Sequence, residues 1–226
     1  MNVPIMFADK FNLSLEQNRF LAKKNIVEVI HSMSRLEKVN TTFPQTKTII
    51  DGMSVSGIST HDMQVLLNLK NAWQFILSSD SQFDLAFACK VNGFVAYNES
   101  LAWGELRTGN VGISGVSFVP DIPLKNKVEQ ALNELNHLPI SNTHRILKTM
   151  YYMMRHQLFW DGNKRTAMIC ANYELIMAGC GVLNINESQL ETWHTLLSAF
   201  YESNDDNKDN KIVAWTYENC LYGMTV

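Results

Sequence analysis

The stretch Arg155-His156-Gln157-Leu158-Phe159-Trp160-Asp161-Gly162-Asn163-Lys164-Arg165 divides two helical patterns, and the reading of the chain turns on it. Before it, residues 141–158 place Ile146, Met150, Met153 and Met154 on one side of an amphipathic helix. After it, residues 163–178 are apolar nearly all round, and a helix of that kind is buried. The second helix therefore starts at the edge of the core, with Asp161, Asn163, Lys164 and Arg165 gathered at its start. A helix start leaves backbone N–H groups unpaired and carries a partial positive charge, so it attracts anions. Gly162 lets the backbone come close to a ligand. Lys164 and Arg165 add positive charge, the arginine with two donors for phosphate oxygens. Asp161 is a hard oxygen ligand placed to hold Mg²⁺ against the same phosphates. On spacing alone, a turn and N-cap flanked by ordinary surface cations is the commoner account of so short a motif.

Outward from this loop, helical periodicity predicts further helices over 12–36, 44–50, 82–97, 125–135, 187–201 and 208–222, and one that opens at Thr60 with Val65, Leu66, Leu69, Trp73 and Ile76 on one face. Phe20, Ile26, Val27, Ile30 and Met33 mark the apolar face of the first, and Asn12 or Ser14 can cap it. Between Trp103 and Pro123 the chain carries four glycines and two prolines. Its Val111–Phe118 portion alternates β-branched or aromatic residues with small ones and predicts a short hairpin. The run Ser203–Asn210 is polar and reads as a solvated loop; it lacks the glycine and terminal glutamate of a calcium loop. The expected architecture is all-α with one β-hairpin, in a single domain over 1–226. Residues 1–80 form an N-terminal helical part, 81–186 a core carrying hairpin and loop, and 187–226 the closing helices.

Composition narrows the functional classes. The 226 residues are 46% hydrophobic and 18% charged, which suits a globular domain with a large core. No window approaches the ~18 consecutive apolar residues of a membrane span. The N-terminus lacks the basic start and apolar run of a secretory signal. Cys89, Cys170, Cys180 and Cys220 are widely spaced and read as reduced core thiols of a cytoplasmic protein. A formal charge of −3 and the lack of a terminal helix-turn-helix pattern speak against a nucleic-acid-binding regulator.

The run Phe159-Trp160-Asp161-Gly162-Asn163-Lys164-Arg165-Thr166-Ala167 resembles the active-site loop of the Fic/Doc family. Glu37 with Asn40-Thr41-Thr42 and Thr46–Ile50 resembles that family's segment after its first helix. Gly104-Glu105-Leu106-Arg107 through Val111 to Pro120 resembles the flap before its catalytic helices. The resemblance thus covers most of the chain, in order. It implies a helical domain that uses Mg²⁺ and ATP to transfer AMP to a hydroxyl on a target protein. Other members transfer other phosphate-containing groups, and the Doc branch phosphorylates. By position, Phe159 would anchor the loop and Asp161 would hold Mg²⁺. Gly162, Asn163 and Lys164 would line the anion nest, and Arg165 would contact the triphosphate. The flap, at Val111, Gly112 and Ile113, would pair with an extended segment of the target.

Three departures from the family pattern bear on activity. The catalytic histidine stands two residues before the loop phenylalanine, where this chain has Gln157; the histidine at hand is His156. Glutamine is no general base, and losing one costs ~10²–10⁴-fold in rate. Either His156 swings into the site around an inserted Leu158, or Gln157 replaces the base. Helix geometry favours replacement, because a one-residue shift turns a side chain by ~100°. Lys164 stands where AMP-transferring members carry glycine, as it does in Doc. Met168 stands at the family's second arginine, the partner of an inhibitory glutamate, so Glu37 either reaches Arg165 instead or forms a surface ion pair. A separate inhibitory partner is the other source of regulation. Two functions follow: a protein-modifying transferase, or a catalytically silent nucleotide-binding or interaction module. For the first, Asp161→Ala and Arg165→Ala are both expected to abolish labelling and leave the fold intact.

Overall fold

The structure, a computed structural model, describes residues 7–203 and 206–224, and the side chains of all of these but 206–210. The reading of the N-terminus rests partly on residues outside that range. The element order is α1 (Leu15–Ser34), a 3₁₀ turn (Arg35–Glu37), α2 (Phe43–Ile50), α3 (Thr60–Ser78), α4 (Leu85–Val95), α5 (Lys125–Asn136), α6 (Asn142–His156) and α7 (Asn163–Met177). Then follow β1 (Val182–Leu183), a 3₁₀ turn (Glu187–Gln189), α8 (Leu190–Tyr201), α9 (Asp206–Asn219) and β2 (Leu221–Tyr222).

Short polar side chains set the helix starts. Ser14 and Gln17 form a reciprocal capping box at α1, and Thr42 and Gln45 form another at α2, where Pro44 sits in the first turn. Ser59, Asp84 and Ser141 cap α3, α4 and α6. The Asp84 cap explains why α4 begins at Leu85 rather than at residue 82. Phe20, expected in the core, is 60% exposed. The buried face of α1 runs through Leu21, Ala22, Val29, Ile30 and Met33, and Phe20 lies one ~100° step away from it.

Helix α7 is the axis of the molecule. From Arg165 to Ile176 every residue is buried, and α1, α3, α4, α6 and β1 all pack on it. The two-residue strands pair antiparallel, Val182 with Tyr222 and Leu183 with Leu221. So short a sheet is held largely from outside. Buried Asn18 on α1 bonds both Gly181 N–H and C=O, and buried Asn172 on α7 does the same for Leu183. These bonds satisfy backbone groups that two residues of ladder leave open.

Two expectations are corrected. The stretch Val111–Phe118 contains no strand pairing, so the small sheet lies elsewhere than in the flap. Its turn bonds Val116 N–H to Ile113 O, with Gly115 at φ +81° and Ser114 not at positive φ. A turn with only its second central residue at positive φ is of the type II kind, whose twist splays flanking strands rather than pairing them. The C-terminal helix begins at Asp206, inside the run read as a loop, and ends at Asn219, ahead of β2. An Asp-rich run is well suited to a helix start, where the dipole favours negative charge. Residues 204 and 205 of that run lie outside the described residues.

Candidate active site

The loop between α6 and α7 is built by its own side chains. Leu158 and Phe159 are buried as anchors. Asn163 is 7% exposed; its Oδ1 accepts from Phe159 N–H at 2.9 Å and its Nδ2 donates to Phe159 O at 2.8 Å. Asn163 therefore closes the loop, with both its amide oxygen and its amide nitrogen engaged by Phe159. Gly162, at φ +69°, is the residue before α7; a Cβ there would meet Val95 Cγ1 at 2.8 Å. Substitution would thus push the loop off α4 as well as strain the backbone. Asn92, fully buried on α4, donates to Asp161 O at 3.0 Å and to Thr166 Oγ1 at 3.1 Å, and accepts from Gly104 N–H at 2.9 Å. One amide thereby joins α4, the loop and the start of the flap.

The first backbone bond of α7 runs from Thr166 N–H to Gly162 O at 2.8 Å, and no side chain caps the helix. The N–H groups of Asn163, Lys164 and Arg165 come before that bond and stay open, as a helix start requires. The Asp161 side chain is 47% exposed, and its Oδ1 accepts from Gly162 N–H at 2.6 Å, leaving Oδ2 outward. Lys164 is half-buried, and its charge, after burial itself, helps hold His194 on α8 below the usual histidine range.

Arg165 departs from expectation. Its side chain is fully buried and turns inward beneath the loop. Nη1 pairs with Glu99 Oε2 at 3.0 Å, and Nε lies 2.8 Å from Glu37 Oε1 in an ion pair without hydrogen-bond alignment. Nη2 has no hydrogen-bond partner among the described residues; it lies 4.0 Å from Asp161 Oδ1 and 3.6 Å from where a Cβ on Gly162 would stand. Glu37 therefore reaches Arg165 directly, and the simpler picture of a surface pair does not hold. Glu99 is nearly buried, and Asn68 Nδ2 donates to its Oε1 at 2.6 Å. Around one guanidinium stand three carboxylates, so this corner carries surplus negative charge.

His156 does not enter the loop. Its Nδ1 bonds Tyr152 O at 2.9 Å within α6, its ring stacks on Tyr152, and it lines a groove with Leu135, Tyr151, Arg155, Phe200 and Val213. Burial, chiefly, holds its pKa below the usual histidine value. Gln157 ends α6 in the left-handed conformation, φ 42° and ψ 62°, and its Nε2 donates back to Met154 O at 2.6 Å. No ionisable side chain stands at the position expected for a base.

Arg107, buried, joins the flap to the end of α6. Its guanidinium donates to the carbonyls of Gln157, His156, Gly109, Pro120 and Asp121, and its N–H donates to Leu158 O at 3.0 Å. A cation suits the negative end of α6. At the far end, Ser117 donates both N–H and hydroxyl to the Glu202 carboxylate. Val111 and Gly112 make no backbone hydrogen bond among the described residues, so that edge of the flap is open. Arg107 was legible only as part of the flap resemblance, and Asn68, Asn92 and Glu99 were not singled out. The available signal was a polar residue on an apolar helix face, as with Asn68 among Val65, Leu66, Leu69 and Ala72.

The residues present fit a bound phosphate group and a divalent cation. The start of α7 offers open N–H groups, with the half-buried Lys164 and the half-exposed Asp161 carboxylate adjoining it, and Arg165 Nη2 lies 4.0 Å from Asp161 Oδ1. Among the described residues no three His, Cys, Asp or Glu side chains are grouped for a metal, so a cation would take Asp161 and ligand oxygens, the usual arrangement for Mg²⁺. No described helix is long and apolar enough to cross a membrane.

Comparison with known proteins agrees with this geometry. Residues 82–175 match the model of the Fic/DOC family, whose chemistry is transfer of AMP and other nucleotide groups to proteins. A Fic-domain-containing signalling protein from Bacteroides thetaiotaomicron superposes over 91% of this chain and 86% of its own, with TM-score 0.75 and 17% identity. A segment of Fic-1 from C. elegans covers 90% of this chain and 63% of its own, with TM-score 0.74 and 19% identity. A Fic family protein from Desulfovibrio desulfuricans covers 88% and 64%, with TM-score 0.70 and 16% identity. This chain spans less than two thirds of the last two. At these identities the likeness is one of fold. No curated protein matches the sequence.

Proposed function

We propose that this chain, whose residues 82–175 are a Fic/DOC-family segment, binds Mg²⁺-ATP at the start of α7 and transfers AMP slowly to a hydroxyl of a target protein. The observation that carries the reading is the uncapped start of α7, with the half-exposed Asp161 above and the unpartnered Arg165 Nη2 below. Asp161 would hold the cation, which when bound neutralises phosphate charge and orients the phosphates. The N–H groups of Asn163, Lys164 and Arg165, with the Lys164 ammonium, would receive the phosphate oxygens. Asn163 and Phe159 keep the loop in shape. Val111 and Gly112, with the N–H of Ile113, offer an open edge to which an extended target segment can add by backbone bonds.

Chemistry is slow in this reading because no neutral imidazole stands at position 157. An attacking hydroxyl would bond the α-phosphorus as the bond to the β-phosphate breaks and pyrophosphate leaves, and would give up its proton to water, which lowers the rate by ~10²–10⁴-fold. Glu37 restrains the site further: it adds a negative charge at Arg165 where phosphate would otherwise lie. Its release, by movement of the Arg35–Glu37 turn or by a partner protein, would favour nucleotide. The bulk of Lys164 leaves phosphate transfer in the manner of Doc as the outcome to distinguish.

The test uses purified protein with cell lysate, Mg²⁺, and ATP labelled at the α- or the γ-phosphate, with Asp161→Ala as control. Asp161-dependent α-label on protein is the expected result, and γ-label alone would replace AMP transfer with phosphorylation. A second reading rests on Gln157, whose amide turns back onto Met154 O. If Mg²⁺-ATP binds but neither label transfers, the chain is a nucleotide-binding module that holds its partner through the flap. Label that persists in Asp161→Ala would remove the site assignment altogether.

A further inference from the structure

Helices α3 and α4 enclose a groove of about 590 Å³ lined by none of the loop residues 157–165. Its two sides differ in chemistry. On α3, Gln64, Asn68 and Asn71 recur at the i, i+4, i+7 spacing of one helix face and form an amide wall. Opposite stand the rings of Phe94, Tyr97 and Trp103. Tyr97 and Trp103 meet edge to face at 5.4 Å, yet keep 52% and 38% of their surface exposed. Part of the amide wall is already committed. Asn68 accepts from Gln64 and donates to Tyr97 O and Glu99, which leaves Gln64 Oε1 and the whole Asn71 amide open to the groove.

The floor is made by two glycines. Gly104, at φ +76°, needs to be glycine, since a Cβ there would lie 3.3 Å from Gly93 Cα. Gly93 does not need to be: it lies inside α4, and a Cβ would meet Gly104 Cα at an ordinary 3.7 Å. A glycine within a helix weakens it relative to alanine. Packing does not demand it here; the missing methyl leaves open the floor between the amide wall and the rings.

We infer that this groove binds a neutral, planar heteroaromatic molecule of the nucleobase class, stacked on Tyr97 and Trp103 and read at its polar edge by Asn71 and Gln64. Amides carry a donor and an acceptor side by side, which matches the edge of such a base, and aromatic faces supply stacking. The volume is in the range of small-molecule sites. Among the described residues that line it there is no carboxylate, and Lys90, the cation among them, sits over the Phe75 ring at 4.8 Å, so the lining favours an uncharged ligand. Asn68 in its wall bonds Glu99, which in turn pairs with Arg165 at the loop. This inference is independent of nucleotide transfer and holds or fails without it.

Adenosine, guanosine and cytidine, without phosphates, are the probes. Each is titrated into the intact chain by calorimetry, and 8-azidoadenosine is then photo-crosslinked and the labelled peptide mapped. Gly93→Ala is expected to raise Tm by about 2–4 °C and to weaken nucleoside binding at least tenfold. Trp103→Ala weakens it likewise, and crosslinks fall within residues 89–104. Gain of stability together with loss of binding is a combination that a misfolded variant cannot produce. Absence of binding by all three nucleosides up to millimolar concentration overturns the inference. So does binding that Gly93→Ala and Trp103→Ala leave unchanged, or a crosslink mapped to residues 157–165.

Discussion

Replacing Gln157 with histidine tests whether a base is what the site lacks. The position accepts the change. Its φ of 42° and ψ of 62° lie in the left-handed region, where histidine is enriched among non-glycine residues. What the glutamine side chain contributes is the Nε2 bond to Met154 O at the end of a helix, beside the Tyr201 hydroxyl. Losing it costs about 1 kcal/mol, a Tm change of about 2–4 °C for a chain of this size. The backbone carbonyl of residue 157, which Arg107 holds, is unaffected by the substitution. A general base is worth ~10²–10⁴ in rate, or about 3–5 kcal/mol of barrier, well above the stability cost. The assay is the initial rate of label transfer from Mg²⁺-ATP to protein at saturating nucleotide, with ATP affinity measured in parallel. The rate of Gln157→His should rise at least a hundredfold. Its pH profile should climb with deprotonation of an imidazole near ~6.5, because only the neutral ring accepts a proton. The wild type has no such limb. A folded variant that binds Mg²⁺-ATP normally and transfers no faster would refute the reasoning.

Three further predictions rest on individual contacts. Glu37→Gln removes one of the carboxylates around Arg165 and should tighten Mg²⁺-ATP about tenfold (~1.4 kcal/mol) by calorimetry; an unchanged Kd would take Glu37 out of regulation. Asn163→Ala leaves the buried Phe159 N–H and C=O unsatisfied, at about 1–3 kcal/mol each, so Tm should drop by several degrees or more. A drop below ~2 °C would mean that the loop does not depend on that clamp. Buried His144 has no hydrogen-bond partner for either ring nitrogen among the described residues, and burial, followed by the Lys148 charge, lowers its pKa below 6.5. With the folded value below the unfolded one, its contribution is complete above pH 6.5 and is lost as pH falls toward the folded value. Melting between pH 7.5 and 5 should therefore show a falling Tm, less steep in His144→Phe; identical slopes would clear His144 of that role.

Helix existence was legible because the cues are local. Ser14 with Gln17, Thr42 with Gln45, and Ser141 each mark a start within a few residues of the apolar pattern they introduce. The burial of α7 could be read from its composition alone. The flap misled because alternation of large and small residues predicts extended backbone but not what pairs with it. Here the segment is held by Arg107 at its base and Glu202 at residue 117, neither of them a strand neighbour. Asn68, Asn92 and Glu99 were illegible for a related reason. Apart from the Gln64–Asn68 bond, their bonds span 12 to 74 residues, and nothing in a local window says which distant carbonyl or cation each side chain will meet.

The deepest difference lies inside the motif that decided the reading. The family resemblance assigned Asp161, Gly162, Asn163, Lys164 and Arg165 alike to a ligand site, and the structure divides them. Asn163 is spent on Phe159, and Arg165 is buried between Glu99 and Glu37. What remains turned outward is backbone N–H, Lys164 and the Asp161 carboxylate. Arg165→Ala therefore does not test binding cleanly. It strips the partner from Glu99, whose side chain is 4% exposed, and breaking such a buried pair costs about 3–5 kcal/mol. Loss of labelling in that variant would follow from a weakened fold as readily as from a lost phosphate contact. Asp161→Ala removes one half-exposed carboxylate, with the Asn92 bond to the Asp161 carbonyl left in place. The two substitutions should thus separate in a melt: Arg165→Ala falls by roughly 6–20 °C, and Asp161→Ala stays near the wild type. Equal Tm values for both would mean that the guanidinium is not the buried bridge described above, and would return Arg165 to the ligand.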